Sequence, residues 1–169
     1  MKKNQIVFVA LFAVLALSGL FAYQAYAHCQ IPCGIYGDEM RFDMLNEHIA
    51  TIEKSMNAIN EMAKESKHEP NQLVRWVMNK DDHADQFSEI VHSYFLAQRI
   101  KSAEETDAKA YKEYTHKLVL LHNMIVSAMK CKQTTDLANV KSLKKLVKDF
   151  YVAYFGPDHV RHTHEGGNQ

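Results

Sequence analysis

Four stretches of this 169-residue chain repeat apolar side chains three and four positions apart, and that spacing constrains the fold more than any other feature. The repeat puts the apolar residues on one stripe of an α-helix, and the stripe must be buried against another element. From Asp38 to about Ser66 the stripe is Leu45, Ile49, Ile52, Met56, Ile59 and Met62. "ESKHEPN" interrupts it, with Pro70 as stop and restart. A second helix is expected from about Asn71 to Ile100, with Val74 and Val77 opening its stripe and Ala84, Phe87, Val91 and Tyr94 continuing it. The polar patch "NKDDH" breaks that stripe in the middle. A third helix, about Thr106 to Gln133, carries Tyr114, Leu118, Leu121, Ile125 and Ala128. The fourth, about Asp136 to Phe155, carries Val140, Leu143, Val147, Phe150 and Tyr154 before Gly156 and Pro157 end it.

Four such helices with short connections predict an all-α fold, an antiparallel up-and-down four-helix bundle. The near-heptad stripes predict left-handed packing. Gly and Pro are scarce, at 6 and 3, and strand-like alternation is hard to find. The chain is long enough for one domain with a real core, and no internal repeat points to a second. Lys141, Lys144, Lys145 and Lys148 on the fourth helix read as a solvated face. A bundle by itself does not define a function, so the chemistry must come from what is attached to it.

The first 27 residues have the organisation of a secretory signal peptide. "MKK" is a basic start, "IVFVALFAVLALSGLF" is an uncharged apolar run, and "AYA" puts Ala25 and Ala27 at the small positions of a cleavage site. Signal peptidase is then a processing partner, and the mature chain is exported to the periplasm or the extracellular space. The apolar run is near the lower limit for a spanning helix, so no membrane attachment is expected after cleavage. Loss of Lys2 and Lys3 with the leader turns a balance of 20 basic and 20 acidic side chains slightly acidic. No strong field points to nucleic acid or a membrane surface. The domain boundaries are therefore 1–27 for the leader, 28–155 for the globular part and 156–169 for a loose tail.

Cleavage changes the chemistry of "HCQIPCGIY", residues 28–36. His28 becomes residue one, and its α-nitrogen becomes an amine with a usable lone pair. A metal bridging that amine and the backbone nitrogen of Cys29 closes a five-membered ring. The Cys29 nitrogen and its own sulfur close a second ring. Cys33 can bring a second thiolate if the chain folds back, and Pro32 and Gly34 suit the turn this requires. The His28 imidazole is left as an axial ligand. Two nitrogens and two sulfurs in a plane suit Ni(II) or Cu(II), whereas zinc prefers a tetrahedron. The competing reading is a disulfide between Cys29 and Cys33 in an oxidising compartment. A disulfide has no use for a histidine at position one.

"HCQIPCGIY" at a processed N-terminus resembles the H-C-x-x-P-C-G-x-Y signature of the nickel superoxide dismutases, and "NQLVRWVMNKDDHA" resembles the second helix of members of that family. The resemblance covers most of 27–155 and implies a four-helix bundle with an N-terminal hook. It implies conversion of superoxide to dioxygen and hydrogen peroxide through a Ni(II)/Ni(III) cycle, with one nickel ion per subunit. The metal ligands it implies are His28, Cys29 and Cys33, with Tyr36 over the substrate approach. It also implies a homohexamer.

Behind the hook, "RFD" aligns with the family's first-helix R-x-E after a one-residue gap, which gives Asp43 the acidic role beside the His28 imidazole. The family's second-helix arginine position falls near His83. Tyr94 in "HSYF" is a candidate second pocket tyrosine. Each has a plain alternative: a helix-start carboxylate, a surface histidine and a core aromatic. Cys131 reads as a buried or free thiol, and "HVRHTH" reads as a solvated tail. Two other functions fit the same residues: an exported, non-catalytic nickel or copper carrier, and a disulfide-bonded helical structural protein.

Overall fold

The computed structural model describes residues 37–65 and 69–159, all within the compact unit Pro32–Gln169. The leader, His28, Cys29, Cys33, Tyr36 and the tail from Val160 onward lie outside the described residues. Helix α1 spans Asp38–Met62, α2 spans Pro70–Glu89, α3 spans Ala108–Gln133 and α4 spans Leu137–Phe155. Directly after α2 the helix continues as a π-helix, Ile90–Arg99, which the 3.6-residue periodicity did not foretell. Among the described residues no helix is long and apolar enough to cross a membrane.

The helix ends follow local chemistry. Asp38 and Glu39 sit in the first turn of α1, where the helix dipole favours negative charge. Pro70 opens α2 at a position that needs no N–H donor. Asp107 and Asp136 cap α3 and α4, accepting hydrogen bonds from Ala110 N at 3.0 Å and Ala138 N at 2.9 Å. Gly156 ends α4 with φ of 98°, a left-handed conformation that side-chain-bearing residues rarely adopt.

Each helix packs against its neighbours in sequence, and α4 closes the ring against α1. The start of α1 meets the end of α4, and the end of α1 meets the α3–α4 connection, where Asn60 Nδ2 donates to Thr135 O at 3.1 Å. That is the up-and-down order. The stripes supply the core: Leu45, Ile49, Ile52 and Met56 from α1, Ala84 and Phe87 from α2, Leu121, Met124 and Ala128 from α3, and Val140, Leu143, Val147 and Phe150 from α4. Full burial of one large apolar side chain contributes about 1.5–3 kcal/mol.

Val74 and Val77 depart from this pattern. They are 55% and 38% exposed, not part of the core. The reason is the length of α3. Lys80 already lies against the last carbonyls of α3, so residues before Lys80 run past the end of that helix and have nothing from it to pack on. The lysines of α4 face solvent as expected. The tail's first residues are held: His159 stacks on Phe155 with ring centroids 4.2 Å apart, and its Nε2 lies 2.7 Å from Glu39 Oε1.

Candidate functional site

The end of the bundle from which the N-terminal segment departs carries a network centred on Asp38. Both carboxylate oxygens are engaged. Tyr94 donates its hydroxyl to Oδ1, and Tyr154 donates to Oδ2 at 2.8 Å. Arg99 donates from Nη2 to the Tyr94 hydroxyl at 2.9 Å. Its Nε lies 3.0 Å from Asp38 Oδ1, but the N–H is not aimed at that oxygen, so this contact is Coulombic rather than a directed bond. The guanidinium thus donates to a tyrosine that donates to a carboxylate, across α1, the π-helix and α4.

The π-helix makes this possible. In an α-helix, residues five apart are separated by about 140° around the axis. Hydrogen bonding from residue i+5 back to i, seen where Ile100 N donates to Phe95 O at 3.0 Å, returns such residues to one face. Tyr94 and Arg99 are five apart and share that face. Below them lies an aromatic floor in which Phe95 contacts Phe42 and Phe150, each with centroids 5.0 Å away. Arg41 and Arg99 each place a guanidinium carbon 4.8 Å from the Tyr94 ring centroid, a cation–π arrangement. Burial, then the bond to Asp38, pushes the Tyr94 hydroxyl above the usual phenol range, so it stays protonated as a donor.

A second polar layer lies further along the α1–α2 seam. His48 and His83 face each other with their Nδ1 atoms 2.9 Å apart, so one ring donates and the other accepts. Asn79 donates to Ser55 Oγ at 2.9 Å. Lys80, only 2% exposed, donates to Asp81 at 2.7 Å and to the carbonyls of Cys131 and Lys132 at 2.8 and 2.6 Å. The "NKDDH" patch is therefore not a break in the helix's buried face. Its Asn79, Lys80 and His83 are the polar part of that face.

The residues expected behind the hook have different surroundings. Asp43 is on the exposed side of α1, five positions beyond Asp38 and so on a different face. The α1 residue that His83 meets is His48, which leaves His83 with Nε2 for any other partner. Tyr94 is 2% exposed and belongs to the core as well as to the Asp38 network. Periodicity does not point to Asp38 or Arg99, and it places Tyr154 in the apolar stripe of α4 without its bond to Asp38. The only sequence signal for Asp38 is its place two residues after Tyr36, and a pair five apart carries no α-helical signal.

Among the described residues no group of three or more His, Cys, Asp or Glu is placed to hold a metal ion. Of the chain's 3 cysteines, Cys131 is fully buried. Its burial pushes the thiol up to about 11, partly offset by the Lys80 charge, so the free thiol is protonated at neutral pH. Cys29 and Cys33, the other two, lie outside the described residues. A chain cut before His28 would offer an amine, a backbone nitrogen and two thiolates within residues 28–33, a donor set of the kind that suits nickel.

No curated protein and no solved structure gives a match. The family model for nickel-containing superoxide dismutase matches residues 23–157, which is most of the chain and includes all four helices and the "HCQIPCGIY" segment. The chain belongs to the nickel-containing superoxide dismutases, oxidoreductases that use nickel and act on superoxide.

Proposed function

We propose that the chain is exported, that signal peptidase cuts between Ala27 and His28, and that the new N-terminus is the nickel site, one per subunit. His28 supplies its amine and imidazole, Cys29 its backbone nitrogen and thiolate, and Cys33 a second thiolate. Bound nickel would supply a Ni(II)/Ni(III) couple through which one superoxide gives up an electron to become dioxygen and another takes one up, with two protons from solvent, to become hydrogen peroxide. Anionic thiolate and amidate donors would favour the higher oxidation state of nickel, and the His28 imidazole would add to that preference. Tyr36 holds an anion or water near the site by hydrogen bonding. Asp43 and His83 are the groups proposed to steady the His28 ring, His83 through Nε2. A homohexamer, as the family resemblance implies, would cover each hook with a neighbouring subunit.

The observation that carries this reading is the nonapeptide "HCQIPCGIY" directly behind a cleavage signal, within the segment the family model matches. The burial of Cys131 supports it by removing the third thiol from consideration. The deciding experiment is a chain that keeps Ala27. Its His28 nitrogen is an amide and cannot serve as an amine ligand. Such protein is expected to lose superoxide dismutation and the rhombic Ni(III) signal in electron paramagnetic resonance. Full activity with Ala27 retained would overturn the ligand set, and nickel binding without turnover in the correctly processed chain would favour a carrier.

A further inference from the structure

The Asp38 network is more than the closure of three helices. We propose that Asp38, Tyr94 and Arg99 form an anchor that fixes where the metal-binding segment leaves the bundle, with Asp38 and Arg99 as positioning residues for the nickel site; this rests on the N-terminal site proposed above. Asp38 is two residues after Tyr36, so their Cα atoms are at most about 7 Å apart, whatever path the chain takes. The hook can be no better placed than the first turn of α1.

That turn is not fixed by its own cap. Gly37 stands at the cap position and offers no side chain to the free N–H groups. The fixing comes from the other side, through contacts to Asp38 from two other elements. Tyr154 holds one carboxylate oxygen and Tyr94 the other, while Arg99 supplies positive charge and orients the Tyr94 hydroxyl. Asp38 and Arg99 are 27% and 29% exposed in their side chains, so the network sits at the rim of the bundle, not in its centre. The π-helix gives a further reason to look beyond stability. It is a rare form, found mostly as short insertions and often at functional sites. Here ten residues adopt it, and one result is that Arg99 reaches Tyr94.

The alternative is a staple that stabilises the bundle and does nothing for the hook. The test uses the full mature protein, nickel-free and nickel-loaded, as wild type, Asp38→Asn, Arg99→Gln and the conservative Arg99→Lys. Three quantities are read below the unfolding transition: helical circular dichroism, hydrogen exchange of the amides of residues 35–39, and loss of nickel to a chelator. An anchor predicts unchanged helicity, faster exchange at 35–39 and nickel loss accelerated about 10-fold or more in Asp38→Asn and Arg99→Gln. Arg99→Lys restores most of the wild-type behaviour, because the charge beside Asp38 returns. A lower melting temperature with unchanged exchange and nickel loss leaves only the staple and overturns the proposal. Should Asp38→Asn not fold, Tyr154→Phe removes one of its bonds while keeping the ring, and the same readings decide. Absence of nickel binding or turnover in the wild type would defeat the earlier reading instead, and exchange in the nickel-free protein still tests the anchor.

Discussion

An ammonium group withdrawn from water must have its N–H donors satisfied, and Lys80 has three acceptors for three donors. Two are carbonyls of the last turn of α3, Cys131 O and Lys132 O, which have no partner within their own helix. Lys80 is thus a C-terminal cap contributed by a different helix. Lys80→Met keeps the length of the side chain but leaves those carbonyls unpaired, and is expected to destabilise the protein by about 1–3 kcal/mol. Urea unfolding followed by circular dichroism measures this, and an unchanged midpoint would show that water replaces the ammonium. From sequence, Lys80 looked like part of a polar interruption. Hydrophobic pattern assigns polar residues to solvent by default and cannot see an acceptor about fifty residues away.

At the scale of the elements, the α1–α2 seam carries a pH dependence. Burial, and after it the charge of His83, pulls the His48 pKa below its ordinary value of 6.5, with Glu47 opposing weakly. The unfolded chain therefore binds this proton more readily than the native one as pH falls. The stability of the neutral ring is fully present above about pH 6.5 and is lost as pH falls from there through the native pKa. Geometry acts in the same direction, because two protonated rings would both carry hydrogen between their Nδ1 atoms. The melting temperature is expected to drop between pH 7 and pH 5, with a shallower slope in His48→Gln. Equal slopes in the two proteins would mean that His48 is not the group that titrates. The helices themselves were legible in the sequence, since Asp107, Asp136, Pro70 and Gly156 mark ends that local chemistry sets. The π-helix was not, because its apolar residues Ile90, Val91, Tyr94 and Phe95 are buried in a pattern that an α-helix also produces.

For the whole molecule, the described core and the proposed nickel ligands lie in different parts of the sequence. Among the described residues the buried cluster begins at Phe42, and every proposed ligand precedes Gly37 in the chain. Removal of nickel is therefore expected to abolish activity while leaving far-ultraviolet circular dichroism nearly unchanged, unlike small domains that fold only around their metal. Loss of half the helical signal in nickel-free protein would contradict this. The sequence by itself determined the four helices and their up-and-down order. Apolar period and capping residues are local properties, and they act on neighbours in the chain. Tertiary structure alone decided that Val74 and Val77 are exposed, that Lys80 and His48 are buried, and that Asp38 meets Tyr94, Arg99 and Tyr154. Those outcomes depend on where α3 ends and on how one π-helical segment turns its side chains. Both are set by packing between residues far apart in sequence.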